Sequence, residues 1–189
     1  LPFLIGHKHL IAEVEHFYIV GPKTNEIAAK MNGLKFLSDL RSKGNVNYNW
    51  PEIDDRYAAA LCFTSGTTGK PKGVLYSHKS IVTHANMISL PDYFSFSALD
   101  SLMPVTPMFH VNAWGATYAS SMVGCRLILP GPNVNAVNLT KLINEEKVTV
   151  SIGIPTIWDE ILSYLKKTGK RLNYIKRIYA GGANVPEWM

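Results

Sequence analysis

Cysteine is scarce in this chain, and long apolar runs are absent. Cys62 and Cys125 are the two cysteines among 189 residues, and each lies inside an apolar stretch with no C-x-x-C pair. This usage argues against a disulfide framework, a zinc site and a thiol redox centre, and predicts two buried free thiols in a reducing compartment. No apolar stretch reaches the roughly 18 residues that cross a membrane, and the first residues lack the pattern of a signal peptide. We therefore expect a cytoplasmic protein.

Basic residues are in slight excess but are not concentrated in one patch. The formal net charge is +5, from 19 Lys and Arg against 14 Asp and Glu. The one dense basic group, at residues 166–171, comes at the end of a predicted helix, where cations complement the helix dipole. Aromatic and basic residues do not alternate as they do in nucleic-acid-binding surfaces, so we expect no nucleic-acid partner. The charge would suit a nucleotide polyphosphate, CoA or an anionic membrane surface.

Residues 63–74 read FTSGTTGKPKGV and follow the apolar run at residues 58–62. A short apolar run stopped by glycines predicts a buried strand that leads into a loop. Glycines let the backbone approach a ligand closely and turn several N–H groups toward one point. Neighbouring hydroxyls and lysines add donors and positive charge, and each charge-assisted hydrogen bond contributes roughly 1.5–3 kcal/mol. The stretch therefore predicts a loop that binds a polyphosphate.

The spacing excludes a Walker loop, which is G-x-x-x-x-G-K followed by Ser or Thr. Here Thr64 occupies the position of the first glycine, and Pro71 occupies the position of the magnesium-binding hydroxyl. The proline also favours an extended exit from the loop. The loop must therefore hold phosphate in a geometry other than that of a Walker loop. We expect a strand, the phosphate loop and a helix capped by Ser77 in succession.

Residues 64–74 resemble the phosphate-loop signature of the acyl-adenylate-forming superfamily, which includes acyl-CoA synthetases, the adenylation domains of peptide synthetases, and luciferases. Phe63 departs mildly, because many members have tyrosine there. By this resemblance Thr64 is the metal-binding residue and helps to hold Mg²⁺, while Lys72 supplies positive charge to the leaving pyrophosphate. The β- and γ-phosphates of ATP would be wrapped by Ser65, Gly66, Thr67, Thr68 and Gly69.

A second motif, PMFHVNAW at residues 107–114, resembles the acyl-pocket segment of fatty acyl-CoA synthetases. In those enzymes an aromatic-His pair, here Phe109 and His110, begins a pocket-lining helix, and a tryptophan, here Trp114, acts as a gate to the fatty-acid tunnel. One helical turn separates His110 from Trp114, so we expect both to face one cavity. Amino-acid-adenylating domains typically have aspartate where His110 stands, so an amino-acid substrate is disfavoured. Without the resemblance, Trp114 would be assigned to the core.

A third segment, AGGA at residues 180–183, resembles the glycine turn that passes beneath the adenine and the acyl carboxylate in the same superfamily. The resemblance implies that Gly181, Gly182 and Ala183 contact the nucleotide. Two glycines at the end of a strand are also typical of a simple tight turn, and that alternative stays open.

From residue 58 onward, predicted strands and helices alternate at the spacings of βαβ units. The fold class is therefore predicted as α/β, with a mainly parallel sheet flanked by helices and right-handed crossovers. Such a sheet would be part of the N-terminal domain of an acyl-CoA synthetase-like adenylating enzyme. Each of the three site segments directly follows a predicted strand. Because ligands collect beyond the carboxyl ends of such strands, the three segments are expected to converge on one edge.

We expect two regions along the chain. Residues 1–50 form an N-terminal segment of uncertain packing, in which residues 15–20 predict a strand and residues 33–43 a short helix. Residues 51–189 form the ATP- and acyl-binding α/β portion of an adenylation domain. The chain starts without methionine, and members of the resembled superfamily are far longer. We therefore expect an internal piece of a larger enzyme, inactive alone because an acidic metal partner, a ribose-binding aspartate and a catalytic lysine would lie beyond it.

The resemblance implies carboxylate activation in two steps. A fatty-acid carboxylate attacks the α-phosphorus of ATP and releases pyrophosphate, and the thiol of CoA then displaces AMP to form a thioester. Both reactants of the first step are anionic, so charge neutralisation dominates it, and Lys72 and His110 are the candidate catalytic residues. ATP, Mg²⁺ and CoA are the implied cofactors. There are two alternative functions: a ligase for an aryl or short-chain acid, and a non-catalytic module that binds a nucleotide or an acyl group. Whether the protein contacts a membrane peripherally or forms a homodimer stays open.

Overall fold

The computed structural model describes residues 6–7, 9, 13–21, 34–41, 47–64 and 69–187. The chain divides into two compact units, Leu1–Glu52 and Ile53–Met189. In the first unit, strand β1 (Phe17–Ile19) pairs in parallel with β2 (Leu34–Phe36), and helix α1 (Leu37–Arg41) follows β2 directly. The strand predicted at residues 15–20 is confirmed. The predicted helix at residues 33–43 begins only at residue 37, because residues 34–36 pair with β1.

The second unit contains a hairpin in which β3 (Ala58–Thr64) and β4 (Lys72–Ser77) pair antiparallel. The expected order of strand, phosphate loop and helix is therefore wrong by one element, since the loop joins two strands. Val74 and Tyr76 are residue types that suit a strand. Gly73 leaves room for the side chain of Leu61, because a Cβ built there would lie 3.0 Å from Leu61 Cδ1.

Helix α2 (His78–Ser89) follows β4 without a loop. Its cap is the predicted one: the hydroxyl of Ser77 accepts a hydrogen bond of 3.1 Å from the backbone N–H of Ser80. One face of the helix is apolar, with Ala85 and Ile88 buried. The helix thus leaves the hairpin in a fixed direction and packs its buried face on the rest of the unit.

A four-stranded parallel sheet forms the centre of the second unit, with the strand order β6-β5-β7-β8. Its strands are β5 (Ser101–Pro104), β6 (Arg126–Leu127), β7 (Val150–Gly153) and β8 (Arg177–Ala180). Between them run α3 (Val111–Trp114), α4 (Ala116–Val123), α5 (Ala136–Glu145) and α6 (Pro155–Thr168). The predicted α/β fold with a mainly parallel sheet flanked by helices is confirmed.

The apolar core of the second unit consists of two clusters on opposite faces of the sheet. Leu102 and Met103 are neighbours in β5 but belong to different clusters, because successive side chains of a strand point to opposite faces. Leu102 packs with residues of α2 and α4, and Met103 packs with residues of α5 and α6. Cys62 and Cys125 are both buried and free, as the sequence predicted.

A polar network joins the amino ends of three strands. Asp100, which is 7% exposed, accepts hydrogen bonds from the Thr149 hydroxyl at 2.8 Å and from Arg177 Nη2 at 2.7 Å. These residues stand at the starts of β5, β7 and β8. The opposite, carboxyl edge of the sheet therefore carries the segments that the sequence assigns to a ligand site.

No helix among the described residues is long and apolar enough to span a membrane.

Candidate functional site

The two ends of the candidate phosphate loop lie side by side. Thr64 ends β3 and Lys72 begins β4, and the two are cross-strand partners. Directly opposed residues of an antiparallel pair have Cα atoms roughly 4.5–5.5 Å apart. Both residues are exposed, so the hairpin brings a hydroxyl and an ammonium group together at its open end. The predicted phosphate ligands Ser65, Gly66, Thr67 and Thr68 lie outside the described residues.

Gly69 and the lysines beside it suit an anionic ligand. Gly69 has a φ of +82°, in the region that favours glycine, and a Cβ built on it would meet no described atom within 4 Å. Lys70 and Lys72 are exposed, and neither ammonium is paired with another described residue. Open backbone beside unpaired cations is the donor set that a triphosphate requires.

Among the described residues at the open end of the hairpin, Thr64 offers a hydroxyl to a magnesium ion. Within the described ranges, no group of three or more His, Cys, Asp and Glu residues could hold a metal. Mg²⁺ often binds through one or two protein groups together with substrate phosphates and water. The residues present therefore fit an ion that arrives with the nucleotide.

The segment after β5 is not the continuous right-handed helix that the sequence predicts. Val111, Asn112, Ala113 and Trp114 have φ values of 48°, 49°, 50° and 56°, and Gly115 has a φ of 70°. Helix α3 is thus a left-handed turn, and the right-handed helix α4 begins at Ala116. A left-handed conformation costs an L residue roughly 1–2 kcal/mol. The surroundings of the turn must therefore hold it in place.

The left-handed turn interrupts the helical periodicity that would place His110 and Trp114 on one face. His110 lies outside the turn, with an extended backbone at φ −102° and ψ 109°, so helical periodicity does not extend to it. His110 and Phe109 are exposed, the latter to 82%, whereas Trp114 is half-buried. The pocket roles of these three residues remain predictions.

Trp114 contacts the glycine turn that follows β8. A Cβ built on Gly181 would lie 3.1 Å from Cη2 of the indole, and one built on Gly182 would lie 4.0 Å from Cζ2. Gly182 also has a φ of +83°, and Ala183 is exposed beyond it. The structure therefore brings two of the three predicted segments together, because glycines leave room for the ring.

A cavity of about 370 Å³ lies between α2 and the left-handed turn. Its walls include Tyr76, Ile81 and His84 on one side and Val111, Asn112 and Tyr118 on the other. Gly115 permits this arrangement, since a Cβ built there would lie 2.6 Å from Nδ1 of His84. The cavity is near the lower end of the roughly 300–1,000 Å³ range of small-molecule sites.

The strand that enters the phosphate loop contacts the left-handed turn through one side-chain hydrogen bond. Cys62 Sγ donates a hydrogen bond of 3.1 Å to Oδ1 of Asn112. Cys62 belongs to β3, the strand that enters the phosphate loop, and is 6% exposed. The left-handed turn therefore contacts β3, the glycine turn and the cavity.

The sequence profile of the AMP-binding enzyme family matches residues 10–188. The chain belongs to the AMP-binding enzyme family.

Two curated relatives of this AMP-binding enzyme match over the whole chain. It is 42% identical to a 3-methylmercaptopropionyl-CoA ligase of Ruegeria lacuscaerulensis and 41% identical to a medium-chain-fatty-acid–CoA ligase of Ectopseudomonas oleovorans. In both cases all 189 residues are covered, but they span only 35% of the relative. The chain thus spans about a third of the length of these relatives.

A solved structure shows the same fold. The long-chain-fatty-acid-CoA ligase of Archaeoglobus fulgidus superposes with a TM-score of 0.74 at 20% identity, over 96% of this chain and 39% of that one. The α/β architecture of this AMP-binding enzyme is therefore that of an acyl-CoA ligase, as the resemblance of the phosphate-loop motif implied.

Sequence reasoning missed several residues of this site. Tyr76, His84 and Tyr118 line the cavity, but no spacing or residue type in the sequence points to them. Asn112 falls inside the second motif without a predicted role. Its contact with Cys62 depends on the left-handed backbone, which the sequence does not reveal.

Proposed function

We propose that the protein to which this chain belongs is an AMP-forming acid–thiol ligase for an aliphatic acid. One observation carries the proposal: the left-handed turn contacts both the strand that enters the phosphate loop, through Asn112 and Cys62, and the glycine turn, through Trp114 and Gly181. A nucleotide site and an acyl site built from these segments would share a wall. Such an arrangement suits the joining of a carboxylate to the α-phosphate of ATP.

ATP, Mg²⁺ and CoA are the proposed cofactors. Bound ATP would supply the electrophilic phosphorus and the pyrophosphate leaving group. Residues 64–69 would bind the β- and γ-phosphates, with the Thr64 hydroxyl on the metal ion. Lys72 would stabilise the charge of the pyrophosphate, because its ammonium is exposed and unpaired among the described residues. Gly181, Gly182 and Ala183 would support the nucleotide, while His110 and Phe109 would stand at the carboxylate.

The proposed class of acid is based on the cavity. Its volume of about 370 Å³ and the apolar walls around Ile81 and Val111 suit a short or medium alkyl chain. The name of one relative, a medium-chain-fatty-acid–CoA ligase, is consistent with this size. Trp114 would lie between the cavity and the glycine turn, at the entrance to the acyl site.

A second candidate substrate is a short acid that carries a heteroatom. His84, Ser80 and Asn112 give the cavity polar wall positions, which a heteroatom in the tail of the acid would meet. The name of another relative, a 3-methylmercaptopropionyl-CoA ligase, describes an acid of this kind. The same chemistry would apply to it, with a different fit of the tail.

The proposal extends to organisation and location. Residues 51–189 would be the ATP- and acyl-binding portion of the adenylation domain, and the 189-residue chain by itself would not turn over. A cytoplasmic location is proposed, which the two buried free thiols support.

Acid-dependent exchange of labelled pyrophosphate into ATP tests the proposal on the complete protein. A series of straight-chain acids from about two to twenty carbons, with 3-methylmercaptopropionate beside it, gives the specificity profile. We expect exchange with acids of short or medium length, since the cavity is small for a bound ligand. Absence of exchange with every acid, while the protein still binds ATP, would contradict the ligase and favour a binding module.

A further inference from the structure

The left-handed turn is held by contacts on three sides. Trp114 meets Gly181, Gly115 meets His84, and Asn112 accepts the hydrogen bond from Cys62. Its own backbone bonds are few: Ala113 N–H donates to His110 O and Gly115 N–H donates to Asn112 O, each at 3.0 Å. A non-glycine run with positive φ persists only where surrounding contacts determine it.

Asn112 differs from its neighbours in the turn. Asparagine tolerates the left-handed region better than most residues, whereas a β-branched residue such as Val111 is an outlier there. Asn112 also lines the cavity and contacts β3. It therefore stands between the cavity and the strand that carries Thr64 at its end.

We propose that Asn112 and Cys62 are positioning residues: their hydrogen bond holds the left-handed turn, and with it Trp114 and the cavity wall, at a fixed place relative to the strand of the phosphate loop. This inference rests on the proposed function. The reacting acid must meet the α-phosphate at a set distance, and small displacements of positioning groups reduce catalysis strongly. The pair joins the wall of the acyl site to the strand that enters the nucleotide site.

The variants are chosen to separate the hydrogen bond from the volume of the thiol. Cys62→Ala removes the donor, and Cys62→Ser retains a hydroxyl donor. Asn112→Ala removes the acceptor. Cys125→Ala is the matched control, because Cys125 is also a buried free cysteine. Its cluster borders Trp114 as well, so this variant measures the effect of lost packing without loss of the Cys62–Asn112 bond.

The first measurement is amide hydrogen exchange of residues 108–118 in the complete protein, which does not depend on activity. Loss of one hydrogen bond is worth about a two- to tenfold change in the local opening equilibrium. We expect Cys62→Ala and Asn112→Ala to accelerate exchange by this factor, and Cys62→Ser to restore the slower rate. Equal exchange in Cys62→Ala and Cys125→Ala would overturn the positioning role, whatever the activity.

The second measurement is the KM for acid and the KM for ATP in the pyrophosphate exchange reaction. We expect Cys62→Ala to raise the KM for acid by about two- to tenfold and to leave the KM for ATP unchanged, with recovery in Cys62→Ser. The double variant is expected to be no worse than Asn112→Ala alone, because both substitutions remove the same bond. Additive effects, or an equal rise in both KM values, would contradict the proposal. Wild-type protein without acid-dependent exchange would instead contradict the proposed function.

Discussion

The indole ring of Trp114 explains why glycine occupies position 181, because the ring leaves little room for a side chain there. A Cβ there would lie 3.1 Å from Cη2 of Trp114, closer than an unstrained contact. We expect Gly181→Ala to destabilise the protein by about 1–3 kcal/mol, the usual cost of overpacking. Chemical unfolding measures this cost. The double variant with Trp114→Ala is the control, since removal of the indole opens the space; an undiminished loss in the double variant would show that the ring is not responsible.

The Cys125 thiol makes the stability of the folded protein depend on pH in the alkaline range. Burial, and after it the negative charge of Asp100, raises the pKa of the Cys125 thiol from 9.0 to about 11. The unfolded chain then releases this proton at lower pH than the folded chain, so the thiol's contribution to stability is complete below pH 9 and is lost as pH rises through 11. The total is roughly 2–3 kcal/mol.

The comparison of wild type with Cys125→Ala isolates this contribution from other groups that titrate near pH 10. We expect the difference between their free energies of unfolding to shrink as pH rises from 9 to 11. A difference that stays constant over this range would show that the folded thiol titrates normally.

At the scale of elements, local pattern predicted the parallel sheet but not the two irregular pieces of the site. Alternating strands and helices leave few topologies, and Ser77 and Asn135 both cap helices as their residue types suggest. The order after the phosphate loop was wrong because residues 72–77 pair with β3, a contact between segments that the loop separates. The left-handed turn at residues 111–114 opposes local propensity, so only its surroundings can produce it.

The network at the amino edge of the sheet is expected to hold β5, β7 and β8 together. Asp100→Asn removes the charge that neutralises Arg177, whose Nε is buried without a hydrogen-bond partner among the described atoms. Arg177 is partly exposed, at 33%, so the cost falls below that of a fully buried pair, and we expect about 2–3 kcal/mol.

Glu145→Gln is the control for Asp100→Asn, because the pair of Glu145 with Lys141 is long, at 3.9 Å, and exposed. Its effect is expected to stay within about 0.5 kcal/mol. Chemical unfolding of both variants gives the comparison. Equal effects would mean that the network contributes no more than a surface pair.

At the scale of the whole molecule, the motifs predicted the family but not the geometry that unites them. Of the three motifs, the one at residues 107–114 contacts the glycine turn through Trp114 and Gly181, and it contacts β3, the strand that leads into the phosphate loop, through Asn112 and Cys62. Two of them follow strands of the parallel sheet, as predicted, whereas the phosphate loop belongs to a separate hairpin. A contiguous motif can be recognised from neighbouring residues alone. The packing of a hairpin beside a sheet depends on contacts between residues far apart in sequence, which no local pattern reveals.

We propose that the loop of the β3–β4 hairpin binds the triphosphate of a nucleotide that reacts with an acid. Pyrophosphate exchange by Lys72→Ala in the complete protein tests it most directly, with Lys79→Ala as the control because Lys79 is an exposed lysine outside the loop. Loss of one group that stabilises transition-state charge costs roughly 10²–10³ in rate. We expect a loss of this size in Lys72→Ala and wild-type exchange in Lys79→Ala. Equal rates in the two variants would contradict it.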